Sequence, residues 1–521
     1  MIFLSSSSFF LSDYLTKQLG KNNYRSGQLS YGLKHDHIAA LTIKEKSAGF
    51  DSRNWLALNQ KLGKSQANTA LKLGHWYQKK FQQESNTALI NTAVMWFEQA
   101  IRLGSQQAAI ALAQLYFKDD KLLKAQTVLR QLPATLKNIN LSENWLVLSL
   151  KIAVSEGNVT LVKQLLTSNR FKRYGDNQAQ RLLADLNKYS VITNTEVLKN
   201  KVSGQINLPF ETSLTCITSL QLYATNLAHL KHLNQLIKTF KEQQVLAPFI
   251  CLPTPRYISK NRIDCMAQAE QAITCDETRW QSVANQVGSR HIGLMLKEGG
   301  ANVHLGILYF DVEDSADVFS HELSHLLGFV DEYPLSKDHE TCQDVQQKTF
   351  AHNIAVLNKY YQGERDHVRA SVLASLAWAS EIKVSTPILQ AVDNSTSSKK
   401  IWRLGTPIAF KERVGVYLAE SCQQSSVVAN ATASQLSPHY SAFKPLNRRT
   451  QLRYFANEFP EEYLTLLKAK PSNYLMPSFH YNIAFALYQQ GNNSRARYWL
   501  RQAAEWESEP LRKLTILSGD F

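Results

Sequence analysis

His321, Glu322 and His325 form the run His-Glu-x-x-His, the combination in this chain best suited to chemistry. On a helix, side chains at i and i+4 stand one turn apart on one face, so two imidazoles spaced this way can share an ion. Neutral imidazole is a borderline-soft nitrogen donor suited to Zn2+. Glu322 lies beside the pair, where a carboxylate can take a proton from water acidified by the ion and later deliver it to a leaving amine. The reaction this predicts is hydrolysis of a peptide bond without a covalent intermediate. The surrounding residues predict the helix itself. Ser315 or Asp314 can cap it, Val318, Phe319, Leu323, Leu326 and Leu327 supply its apolar surface, and Gly328 ends it because glycine tolerates positive φ.

The run continues as HELSHLLGFVDEY, His321 to Tyr333, giving the pattern HExxHxxGxxD with Asp331 six residues after His325. This resembles the metzincin peptidases, which place a third metal ligand at that spacing after a glycine turn. The aspartate is similar to the snapalysin-like branch, and the trailing Asp-Glu-Tyr is similar to bacterial immunoglobulin-A-peptidase-like families. The resemblance implies a zincin-like fold, a Zn2+ cofactor held by His321, His325 and Asp331, and Glu322 as general base. Glu332 and Glu340 are the other acidic candidates for the third ligand.

Metzincins also carry a methionine turn beneath the metal, and here the chain departs from the pattern. Met476, the only methionine after the motif, falls in NYLMPSFHY ahead of the terminal helices. The run TQLRYF, Thr450 to Phe455, has the form of the family's Met-x-Tyr-Phe turn with Leu452 in the methionine's place. Leucine keeps an apolar floor. Tyr454 is then the expected hydroxyl that stabilises the tetrahedral oxyanion. Upstream, ANVHLGILYFD fits the edge strand that pairs with an extended substrate, and His304 within it is read as structural. The stretch 335–449 is long for this connection and reads as an insertion that shapes or covers the cleft, which a Cys342–Cys422 disulfide would pin.

The elements that must position these residues separate by texture. Between about residues 65 and 130, ALKLGHWY is followed by AVMWFEQAIRLG, and AAIALAQLYF by LLKAQTVLRQL, with Tyr77 and Tyr116 39 residues apart. Ala70, Ala93, Ala100 and Ala108 let paired helices approach, while Leu73, Tyr77, Trp96, Phe97, Leu112 and Tyr116 supply interlocking bulk. This resembles tetratricopeptide-like repeats. TSLTCITSLQLY, APFICLP and HIGLMLKEGGANVHLGILYFDV read as strands, the last split at Gly299-Gly300 into a hairpin. FHYNIAFALYQQGNNSRARYWLRQAAEW reads as a helix, a turn and a helix. The expected fold class is multi-domain α+β. Residues 1–40 are a signal or disordered segment, 41–195 a helical repeat solenoid, 200–455 a mixed α/β zincin-like catalytic domain, and 456–521 a C-terminal helix pair.

Composition sets the outer bounds. A chain of 521 residues, 44% hydrophobic and 19% charged, has the material for two to four folded units. No stretch approaches the roughly 18 consecutive apolar residues of a membrane-spanning helix. All six cysteines lie between Cys216 and Cys422. An even number confined to one loop-rich region predicts disulfides and an oxidising compartment, the periplasm or outside the cell, with fifteen pairings open. The formal charge of +15 favours an acidic surface. Its lysines, such as Lys61, Lys64, Lys79 and Lys80, are scattered as on a solvated helix face, so no nucleic-acid partner is expected. The expected partners are a protein or peptide substrate and a protein bound by the repeats. A non-catalytic repeat scaffold with a structural metal, or a zinc amidase acting on cell-envelope peptides, are the alternatives.

Overall fold

The computed structural model describes residues 4–21, 24–133, 136, 138–169, 171, 177–192, 216–336, 339–392, 400–422 and 439–519. The chain divides into two compact units, Met1–Asp185 and Lys201–Phe521, with Leu186–Thr193 belonging to the second.

The first unit is helical: α1 (Leu4–Gly20), α2 (Ser26–Lys34), α3 (Ile38–Lys46), α4 (Arg53–Gly63), α5 (Ala67–Glu84), α6 (Thr87–Arg102), α7 (Gln106–Lys118), α8 (Leu122–Arg130), α9 (Ile139–Ser155), α10 (Val159–Thr167) and α11 (Asn177–Lys188). Small residues set its packing. Ala70, Leu73, Tyr77, Ala93, Trp96, Phe97, Ala100, Ala108 and Leu112 share one core, with Tyr116 packed against it. A side chain at Gly74 would meet the Phe97 ring at 2.5 Å, so glycine there is what lets α5 and α6 close on each other. Asn86, Ser105, Asn138 and Asn158 accept hydrogen bonds from first-turn amides and so define where α6, α7, α9 and α10 begin. At the start of the chain, Leu15 and Leu19 of α1 bury against Ala40 of α3.

The second unit is built on a mixed sheet. Its strands are β1 (Thr218–Ala224), β2 (Ile250–Cys251), β3 (Arg256–Tyr257), β6 (His291–Met295), β7 (Asn302–His304) and β8 (Ile307–Phe310). β4 (Cys265–Met266) and β5 (Thr274–Cys275) form a separate ladder. β1 pairs in parallel with β2, β3 and β6, β6 in parallel with β8, and β7 runs antiparallel to β8 at the edge. The expected hairpin is therefore displaced. Gly299-Gly300 crosses beside Gln271, where the Gly300 amide donates to the Gln271 carbonyl. The tight turn is instead Leu305-Gly306, with φ of +43° and +86°, the double positive φ that a two-residue hairpin of right-handed twist requires.

Helices α12 (Leu227–Gln243), α13 (Gln281–Ala284) and α14 (Ala316–Leu326) accompany this sheet. Phe319 of α14 is fully buried between Phe310 of β8 and Phe240 of α12, each ring centre 5.4 Å away. The segment that follows contains α15 (Arg365–Ala374) and two three-stranded antiparallel sheets, made from β9 (Ala355–Asn358), β10 (Tyr360–Gln362), β11 (Leu389–Val392), β12 (Ile401–Leu404), β13 (Tyr417–Leu418) and β14 (Tyr440–Lys444). Three disulfides, Cys216–Cys251, Cys265–Cys275 and Cys342–Cys422, pair all six cysteines. They fit an oxidising compartment. Among the described residues no helix is long and apolar enough to cross a membrane.

The chain ends in α16 (Glu461–Ala469), α17 (Phe479–Gln489), α18 (Asn493–Ala504) and α19 (Pro510–Ser518). Helices α17 and α18 share the core of the sheet. Phe479, Ile483, Leu487 and Trp499 pack with Ile292, Leu294, Ile307 and Tyr309. Buried Arg290, next to β6, pairs with Glu507 at 2.5 Å and donates to the carbonyls of Met476 and Trp506. The Met476 amide in turn donates to the Leu326 carbonyl at the end of α14. The terminal segment thus reaches the helix carrying the histidines.

Candidate metal centre

Helix α14 begins where Ser315 accepts a hydrogen bond from the Val318 amide and ends at Leu326, two residues before Gly328. Gly328 has φ of +90°, and a side chain there would lie 2.3 Å from the Tyr474 carbonyl oxygen. Only glycine allows the chain to reverse at this point and bring Asp331 back over the helix. Gly328→Ala is accordingly expected to destabilise the second unit by roughly 2–4 kcal/mol and to weaken metal binding. Thermal unfolding with and without added zinc measures both, and an unchanged melting temperature would refute this account of the turn.

His321 and His325 stand one turn apart with ring centres separated by 4.9 Å and planes perpendicular. Each is oriented from behind. Nδ1 of His321 donates to the Gln451 carbonyl at 2.8 Å, and Nδ1 of His325 donates to the Phe329 carbonyl at 3.0 Å. A carbonyl can only accept, so Nδ1 carries the proton in both rings, and in the neutral forms each Nε2 presents its lone pair forward. Asp331 Oδ1 lies 3.2 Å from one Nε2 and 3.4 Å from the other. That oxygen is buried and without a regular hydrogen bond.

Three acceptor atoms facing one another at this separation call for a positive charge between them. Ligand atoms about 2.0–2.1 Å from a tetrahedral zinc lie about 3.3 Å apart, and the two oxygen-to-nitrogen separations are close to that figure. His321, Glu322 and His325 also form a group with donor atoms all within 4.8 Å of one another, able to hold a metal. Asp331 approaches the two histidines more closely than that limit requires.

The charges within the cluster act on one another. Burial drives His321 toward its neutral form, but the nearby Asp331 carboxylate outweighs it and raises the imidazole above its ordinary value. Burial would raise Asp331, and His325 and His321 reverse this to hold the carboxyl below the usual aspartate range. Glu322 shifts upward because burial dominates and the histidines oppose it only in part. It is 8% exposed, a poorly solvated carboxylate beside the ion site.

The chain matches no family model, no curated protein and no solved structure. Its chemistry rests on its own residues.

Other residues singled out by the sequence fall in different places. Glu332 points away from the histidines into a buried pair with Lys444. The side chain of Glu340 lies outside the described residues. Leu452 is fully buried, and its neighbour Gln451 supplies the carbonyl that orients His321. The Thr450–Phe455 turn therefore adjoins the cluster. Thr450 and Leu452 occupy the inner side of the turn, which leaves Tyr454 54% exposed with its ring against Phe455. Among the described residues no hydrogen bond joins its hydroxyl to the cluster. The tyrosine that flanks the cluster is Tyr333, stacked parallel to His321 at 6.5 Å. Burial and then the Asp331 charge push its pKa far up, so it remains a protonated donor beside that carboxylate. His304 sits on β7 and meets Asn482, away from the cluster.

Proposed function

We propose that this chain is a zinc-dependent peptidase, with His321, His325 and Asp331 as metal ligands and Glu322 as general base. The observation that carries the reading is the convergence of His321 Nε2, His325 Nε2 and Asp331 Oδ1, each histidine tied behind by a carbonyl. Zinc bound there would polarise a scissile carbonyl and lower the pKa of water. Glu322, buried and with its proton affinity raised, takes the proton from the attacking water and passes it to the departing amine. Tyr333 borders the same space with a hydroxyl that stays protonated.

The HExxHxxGxxD pattern, the buried Leu452 next to the Gln451 carbonyl that orients His321, and the edge strand β7 support a metzincin-type endopeptidase that takes an extended protein or peptide chain. The three disulfides favour the periplasm or the outside of the cell. The paired helices of the first unit, with their tetratricopeptide-like pattern, are suited to binding a protein partner. Zinc content per chain, measured for wild type, Glu322→Ala and Asp331→Ala alongside cleavage of unfolded protein, tests the reading. About one zinc in wild type and Glu322→Ala, less in Asp331→Ala, and cleavage by wild type alone are expected. A wild type that binds no zinc would sink it.

A further inference from the structure

The segment that carries Asp331 is gripped by chain far away in sequence. Asn353 accepts from the Val330 amide at 2.9 Å and donates to the Val330 carbonyl at 2.8 Å. Ser421, beside the Cys342–Cys422 disulfide, donates to the Asp331 carbonyl at 2.6 Å. The strongest hold is on Glu332. Its amide donates to the Leu452 carbonyl at 2.9 Å, one residue from the carbonyl that orients His321. Its side chain is 0% exposed and pairs with Lys444 at 2.6 Å. Its other oxygen accepts from the Tyr463 hydroxyl at 2.5 Å and from Asn353 at 3.4 Å.

We propose that Glu332 is the positioning residue of the metal centre, an inference that rests on the metal-site reading above. Asp331 faces the histidines while Glu332, the next residue, faces Lys444. Anchoring Glu332 to Lys444 therefore aims Asp331 at the histidines. A buried carboxylate is stable only where its partners are, so Asp331 cannot swing aside without drawing Glu332 out of its pair. Glu332 itself does not coordinate, because both of its oxygens are committed inward. The long segment between the motif and the Leu452 turn supplies Asn353, Ser421 and Lys444, and by this reading it is part of the metal site.

The test compares zinc affinity, by competition with a chromophoric chelator, with Co2+ absorption spectra and thermal melts. The variants are Glu332→Gln, Lys444→Met, the two combined, and Tyr463→Phe, which keeps the ring stacked on Phe329. Each charge variant is expected to lose about 10- to 100-fold in zinc affinity and to melt lower. The combined variant leaves no unpaired buried charge, so its melting temperature should recover while its zinc affinity stays weak and its Co2+ spectrum stays altered. Tyr463→Phe should weaken zinc while lowering the melting temperature less than either charge variant does. Affinity that recovers together with stability in the combined variant, or wild-type affinity in Tyr463→Phe and both single charge variants, would overturn the positioning role. A wild-type protein that binds neither metal would overturn the metal-site reading and this inference with it.

Discussion

Replacing Glu322 with glutamine is expected to lower kcat on an unfolded protein substrate by about 10²–10⁴-fold while zinc content stays near that of wild type. Glutamine keeps the volume of the side chain and an oxygen that can accept a hydrogen bond, but it cannot take a proton. The position makes that loss decisive. Glu322 is buried, adjoins both histidines, and has its proton affinity raised mainly by desolvation. Only the carboxylate form can act as base, so the wild-type rate should rise with pH through a value above the ordinary glutamate range, and the Glu322→Gln variant should lose that limb. The same variant separates two roles for the residue. Loss of zinc together with activity would make Glu322 a ligand, as its place within the His321–Glu322–His325 group allows. Full activity with zinc bound would remove it from the mechanism.

What the sequence could and could not reveal follows from whether the interaction is local. Helix α14 was readable because its cap, apolar face, paired histidines and terminal glycine all lie within fourteen residues, Ser315 to Gly328. Residues from about 65 to 130 were readable in the same way, since alanines at helical spacing and the bulky residues between them form a core there. Asp331 was preferred to Glu332 by its spacing after the glycine, but the partners of Glu332 were not legible, because Lys444 and Tyr463 lie more than a hundred residues later. The Gln451 carbonyl that orients His321 is a backbone atom and leaves no mark on residue type. Thr450 and Leu452 are buried and Tyr454 is exposed, a division within one short turn that residue types alone do not announce. The hairpin was misplaced because a Gly-Gly pair signals a turn, while the strand pairing that selects Leu305-Gly306 is set by the neighbouring strand β6.

Zinc is expected to stabilise the second unit more strongly as pH rises, because the metal-free pair of Asp331 and His321 responds to pH in the opposite sense. Asp331 has a folded pKa below its unfolded one, so its contribution is present above about pH 4 and lost as pH falls through the lowered value. His321 has a folded pKa above its unfolded one, so its contribution is full below about pH 6.5 and lost as pH rises through the raised value. Without metal, the pair therefore contributes most between about pH 4 and pH 6.5. Zinc takes His321 in its neutral form, so below the raised pKa binding must expel a proton, and apparent affinity should climb by about tenfold per pH unit before levelling off. The zinc-induced rise in melting temperature should accordingly be small near about pH 5.5 and several-fold larger near about pH 8. Asp331→Asn removes the largest influence that raises His321 and leaves burial, which lowers it, opposed only by the Glu322 charge and the Gln451 carbonyl. In that variant the climb should shift to lower pH, and the plateau should fall because a ligand has been lost. Zinc titrations across this range decide the matter: an apparent affinity in wild type that does not change with pH would mean that no proton stands where the metal binds, and that His321 and Asp331 do not share the ion.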